Sequence, residues 1–130
     1  AVVFGWALAN AFSEEVMDRG FRRWEFAILL DPFQAKQPMT PQEDIWNVIS
    51  FSLSDYSNLL QALTFGLAHF YGVPSGWSGV FLTFVYGLLM GVLQDFSEGL
   101  FYPILAHAMA DYFIFSQVAR RSMDASQKES

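Results

Sequence analysis

Ser13-Glu14-Glu15-Val16-Met17-Asp18-Arg19-Gly20-Phe21 follows directly on a run, Ala1 to Phe12, that carries no charged side chain. Acids and bases at the end of such a run are costly if the run lies in lipid, because an ionised group at bilayer depth must be paired or neutralised. On a helix Glu15 and Arg19 are four apart and pair on one face. Glu14, about 100° further round, shares its face with Asn10 and Asp18. One glutamate is tied down while its neighbour stays available for chemistry.

The charge pattern outside this stretch points the same way. From Tyr56 through Gln94 there is no Asp, Glu, Lys or Arg, and from Gly99 through Ala119 the only one is Asp111. These runs reach or exceed the roughly 20 apolar residues that cross a bilayer. The mean hydropathy of +0.27 understates this character, because the 14 Phe and 4 Trp weigh little on that scale. The expectation is an all-α, polytopic membrane helix bundle of about four transmembrane helices, the core of a larger protein. The chain does not begin with Met and is expected to be a piece of a longer one, its N-terminal part truncated. The net charge of −6 leaves no basic patch, so nucleic acid is not an expected partner. Without cysteine there is neither a disulfide nor a thiolate metal site.

The first segment, Ala1 to Leu30, ends at Asp31-Pro32, since the residue before a proline is pushed out of the α region. Thr40-Pro41-Gln42-Glu43 reads as a capping box that opens a helix, amphipathic from Asp44 to Leu53 and recapped at Ser54-Asp55. A second span then runs from Tyr56 to Tyr71. Gly72 to Gly76 breaks the chain, and a third span covers Trp77 to Gln94, with Gly87 and Gly91 as a small-xxx-small step for a close neighbour. A polar turn, Asp95 to Gly99, leads to a fourth span that starts near Phe101 and ends at Arg120-Arg121. Residues 1–121 are thus one core domain and 122–130 a disordered polar tail.

Glu14 with Glu15, His69, His107 and Asp111 are the polar positions inside these runs that can do chemistry. Phe65 and His69 are four apart, as are His107 and Asp111, so each pair shares a helix face. Bland readings compete with this one: a packed histidine bonded to a carbonyl, an interfacial charge cluster satisfied by Arg19, Arg22 and Arg23, and solvated turn residues at Asp95 and Glu98. Straight helices would also leave His69 and His107 at different depths, unless tilt or an inward-dipping 72–76 loop closes the gap, and Asp111 would then be the nearer partner of His69.

Glu14-Glu15-x-x-x-Arg19, Phe65-x-x-x-His69 and His107-x-x-x-Asp111, in that order, resemble the motifs of the CPBP family of intramembrane proteases, which includes the type II CAAX prenyl endopeptidases. The resemblance runs from Glu14 to about Phe115. It implies an integral membrane protein, of a bacterial or archaeal cytoplasmic membrane, that hydrolyses a peptide bond in a membrane-embedded or membrane-tethered protein or peptide. Glu14 would activate the water, His69 would help to orient it, and His107 and Asp111 would face the scissile carbonyl and its oxyanion. Glu15 and Arg19 would form a supporting pair.

Two departures stand out. Asp18 occupies a position that is apolar in many members, and Asp111 replaces the Asn of the prenyl endopeptidases. An ionised Asp cannot donate to an oxyanion, which leaves it protonated, orienting His107, or ligating a metal. A metal-free mechanism with no required cofactor is preferred; a Zn²⁺ site, if present, would use Glu14, His69, His107 and Asp111. The competing readings are a bis-histidine haem bundle, which leaves Glu14, Glu15 and Arg19 unused, and a non-catalytic scaffold or immunity protein.

Overall fold

The computed structural model describes residues 2–30 and 45–128, and every regular element among them is helical. The first helix runs unbroken from Val2 to Leu30 in three parts: α1 (Val2–Glu14), a π-helical segment (Glu15–Arg22) and α2 (Arg23–Leu30). Then follow α3 (Ile45–Ser54), α4 (Tyr56–Ala68), α5 (Gly76–Ser97) and α6 (Phe101–Lys128). The expected capping box at Thr40 to Glu43 lies outside the described residues.

The π segment coincides with the charged stretch. A wider helical turn there costs regular hydrogen bonding, and such turns concentrate at functional sites. Its i,i+4 pairs persist, Glu15 with Arg19 and Asp18 with Arg22, while Gln94 Nε2 donates to the backbone carbonyl of Arg19. The expected Glu15–Arg19 pair is therefore present. Asp18, one turn after Glu14, pairs with Arg22 one turn further on.

Helix contacts follow the small residues. α4 lies against α5, and a Cβ added at Gly87 would sit 3.2 Å from Ala62 Cα, one at Gly91 only 1.9 Å from Asn58 Oδ1. The expected small-xxx-small step thus brings α4 to within backbone distance. The carbonyls of the same two glycines accept, at 3.4 Å each, from Arg19 and Arg23 of the first helix. α1 packs on α6, and α2 on α4.

The interior is more polar than the exterior. Glu15, Asn58 and Gln61 are fully buried and Arg19 nearly so, whereas Trp6, Trp24, Trp77, Phe81 and Phe113 are all more than half exposed. Water drives apolar rings inward, so this inversion fits a lipid surround, in which polar groups must find partners inside the bundle.

Several expected boundaries are corrected. Among the described helices, α5, with 22 residues, is the one long and apolar enough to cross a membrane, so the four-span expectation is not met by length and composition. At about 1.5 Å per residue, the 13 residues of α4 reach well short of a bilayer core. α5 continues to Ser97, which puts Asp95 inside the helix rather than in a turn, and Glu98 ends it in the left-handed region at φ 53°. α6 runs past Arg121 to Lys128, where a polar tail was expected. Asp55 does recap the chain as foreseen, accepting from the Ser57 amide at 3.0 Å.

Candidate active site

Three helices converge on one carboxylate. Glu14, at the last position of α1, has its Oε2 3.9 Å from His69 Nε2 and 3.5 Å from His107 Nε2. His69 caps the end of α4 and its Nδ1 lies 2.8 Å from the Phe65 carbonyl. Because a carbonyl only accepts, His69 Nδ1 donates to it, and Nε2 is the nitrogen turned toward Glu14. His107, in the second turn of α6, places Nδ1 2.7 Å from Glu15 Oε1. Glu15 binds Arg19 through the same oxygen, so His107 Nδ1 is a donor to an ionised acceptor.

The site is thus built in two tiers. Arg19, stacked 5.2 Å from the centre of the Phe65 ring, holds Glu15; Glu15 holds His107. The Phe65 ring itself touches both imidazoles, at 4.5 Å from His69 and 6.0 Å from His107. Both histidines meet Glu14, so the depth mismatch expected from straight helices does not arise. A cavity of about 530 Å³ opens beside them, walled by Asn10, Tyr86, Asp111 and the apolar side chains of Leu82, Ile114 and Phe115, with Gly72, Val73 and Pro74 of the α4–α5 connection on its rim. That connection lies against the cavity, as an inward-dipping loop would.

Asp111 Oδ1 is 3.6 Å from His107 Nε2, and its Oδ2 accepts from Asn10 Nδ2 at 2.9 Å. Asn10 also donates to Glu14 Oε1 at 3.1 Å. Asp111 Oδ2 therefore acts as an acceptor toward Asn10, and Oδ1 lies beside His107. Glu14, Glu15, Arg19, His69, His107 and Asp111 all fall in or directly behind the site.

Two residues were missed as site members. Asn10 sits one turn before Glu14, a spacing that exposes it in hindsight. Tyr86 packs edge-on to His107 at 5.5 Å, and its buried hydroxyl has no hydrogen-bond partner among the described residues; one tyrosine within a charge-free run gives no such signal. Glu14 Oε2 and Glu15 Oε2 are likewise buried without a hydrogen-bond partner. Zn²⁺ would need three donors directed at one point, and among the described residues no group of three His, Asp or Glu is placed to hold a metal ion.

A second polar cluster lies toward the other end of the first helix. Arg23 reaches Asp55 at 3.0 Å, Asp95 at 2.7 Å and Gln94 Oε1 at 3.0 Å. The competing reading in which Arg23 helps to satisfy the glutamate pair is not met, and the expectation that Asp95 is a solvated residue is corrected here. Although burial opposes ionisation of Asp55, hydrogen bonds from Ser57 and from Arg23 outweigh it and hold its carboxyl below the ordinary carboxylate range.

The model of the family described as type II CAAX prenyl endopeptidase Rce1-like matches residues 1–113. No curated protein matches the chain, and no solved structure does.

Proposed function

Since the chain belongs to the Rce1-like type II CAAX prenyl endopeptidase family, a family of integral membrane proteases, we propose that it hydrolyses a peptide bond in a membrane-tethered substrate with Glu14 as the general base. The observation that carries this reading is the convergence of His69 Nε2 and His107 Nε2 on Glu14 Oε2, beside the cavity. A carboxylate oxygen and two imidazole nitrogens gathered at one place suit a water molecule, which can donate to the carboxylate while an imidazole holds it.

Glu14 takes one proton from that water as its oxygen bonds to the scissile carbonyl carbon. His69, with Nδ1 committed to the Phe65 carbonyl, orients the water. His107, fixed by Glu15, faces the oxyanion; as imidazolium it has a second N–H, at Nε2, to offer the developing charge. Glu14 then returns its proton to the leaving nitrogen as the C–N bond breaks, so the water's hydroxyl ends on the acyl half and its proton on the amine. Asp111 orients His107. The apolar wall of Leu82, Ile114 and Phe115 suits a substrate segment that arrives from lipid and enters sideways between helices.

The test is cleavage of membrane-tethered peptides by the full-length protein in lipid, comparing wild type with Glu14→Gln and His69→Ala, each with and without a chelator. Loss in both variants, with a wild type indifferent to the chelator, is expected. Chelator-sensitive cleavage would move the assignment to a metal held by His69, His107 and the carboxylates, and cleavage that survives both substitutions would refute the site.

A further inference from the structure

Glu14 and Asp111 come from different helices, yet both carboxylates approach the same atom, His107 Nε2, at 3.5 and 3.6 Å. Two ionised carboxylates so placed repel each other, and the site is half-buried or better, where that repulsion is poorly screened. The remaining oxygens of both acids meet one group. Asn10 Nδ2 lies 3.1 Å from Glu14 Oε1 and 2.9 Å from Asp111 Oδ2. A primary amide has two protons on that nitrogen, so each carboxylate receives one. A hydroxyl has a single proton and could serve only one of them.

We propose that Asn10 is a positioning residue for Glu14: its amide bridges the Glu14 and Asp111 carboxylates, lets both stand beside one imidazole, and leaves Glu14 Oε2 facing the two histidines. The inference rests on the proteolytic reading above for its consequence in catalysis, but the bridge itself does not. The bond partners explain why the position must be an amide. With Oε1 held by Asn10, the Glu14 carboxyl cannot rotate away, and the oxygen left over is the one both imidazoles face. Asp111, for its part, is kept as an acceptor and steered toward His107 rather than toward the substrate.

Asn10→Asp tests this with almost no change of shape, because it replaces two N–H donors by a third carboxylate. In the full-length protein in lipid, it is expected to lower kcat about 10²-fold with KM within about threefold, the size of effect that a misplaced catalytic group produces. Repeated in an Asp111→Asn background, where an amide again stands among two carboxylates, the same substitution is expected to cost at most about tenfold. Such coupling between contacting residues is what a double-mutant cycle isolates. Equal costs in the two backgrounds, or an Asn10→Asp protein with wild-type kcat, would overturn the proposal. Thermal unfolding supplies a readout without substrate: Asn10→Asp should lower Tm by about 4 °C or more, and less in the Asp111→Asn background, while an unchanged Tm in both backgrounds overturns the bridge. Glu14→Gln is assayed alongside. If it cleaves like wild type, the proteolytic reading fails; if it is inactive while Asn10→Asp is not impaired, only the present inference fails.

Discussion

The first helix enters two buried polar clusters, and they are built differently. Around Arg23 each charged group is met: the guanidinium bonds Asp55, Asp95 and Gln94, and Asp55 receives two further hydrogen bonds from Ser57. Around Glu14, on the far side of the π segment, Glu14 Oε2, Glu15 Oε2 and the Tyr86 hydroxyl are buried without hydrogen-bond partners among the described residues, and a cavity adjoins them. Residue types and burial are similar at the two places; satisfaction is not. A saturated cluster holds helices together, whereas an unsaturated one beside a cavity keeps polar atoms for a substrate and a water.

Substitutions should separate these roles cleanly, and the largest separation is expected at Glu14. Glu14→Gln removes the proposed base and should lower cleavage by on the order of 10³–10⁴-fold, while its unfolding transition stays at or above that of wild type, since its repulsion with the Asp111 carboxylate is lost. A parallel fall in stability would show Glu14 to belong with the structural cluster. Arg23→Met is the converse. It removes the cation that Asp55 and Asp95 share and should cost about 3–5 kcal/mol of stability, seen as loss of folded protein in detergent before any effect on turnover per folded molecule.

Gly91→Ala probes the packing between the clusters. Its Cβ would overlap the Asn58 side-chain amide, and overpacking of that kind costs about 1–3 kcal/mol, measurable as a lowered Tm with kcat retained in the folded fraction. Asp55 gives the comparison a pH axis. Its folded-state pKa is depressed, so its stabilisation is present above the ordinary carboxylate range and is lost as the pH falls through the lowered pKa. The stability gap between wild type and Asp55→Asn should accordingly be open at neutral pH and narrow in acid. The smallest effect is expected at Tyr86→Phe: no bond within the protein is broken, and stability should stay within about 0.5 kcal/mol of wild type.

Much of this was legible locally. The Glu15–Arg19 pair follows from i,i+4 spacing, the cap at Asp55 from side-chain chemistry, the close α4–α5 approach from Gly87 and Gly91, and the three motifs from their order along the chain. Family membership, read from those motifs, is borne out by the match over residues 1–113. Arg23 was read with the wrong partners because its own lie 32 and 72 residues away, and no periodicity connects them. Asn10 was seen on the face of Glu14, but its bond to Asp111 spans 101 residues.

By itself, then, the sequence determined the helices, the i,i+4 pairs and the three sets of residues that make up the candidate site, since each depends on neighbours within one or two turns. Only the tertiary structure decided that His69 and His107 meet on Glu14, that Glu15 reaches His107, and that one cluster is saturated while the other is open. Those outcomes depend on helix depth and rotation, which are set by backbone approach at Gly87 and Gly91 and by the π segment, and a shift of one residue along any helix would turn its polar side chains away from the others.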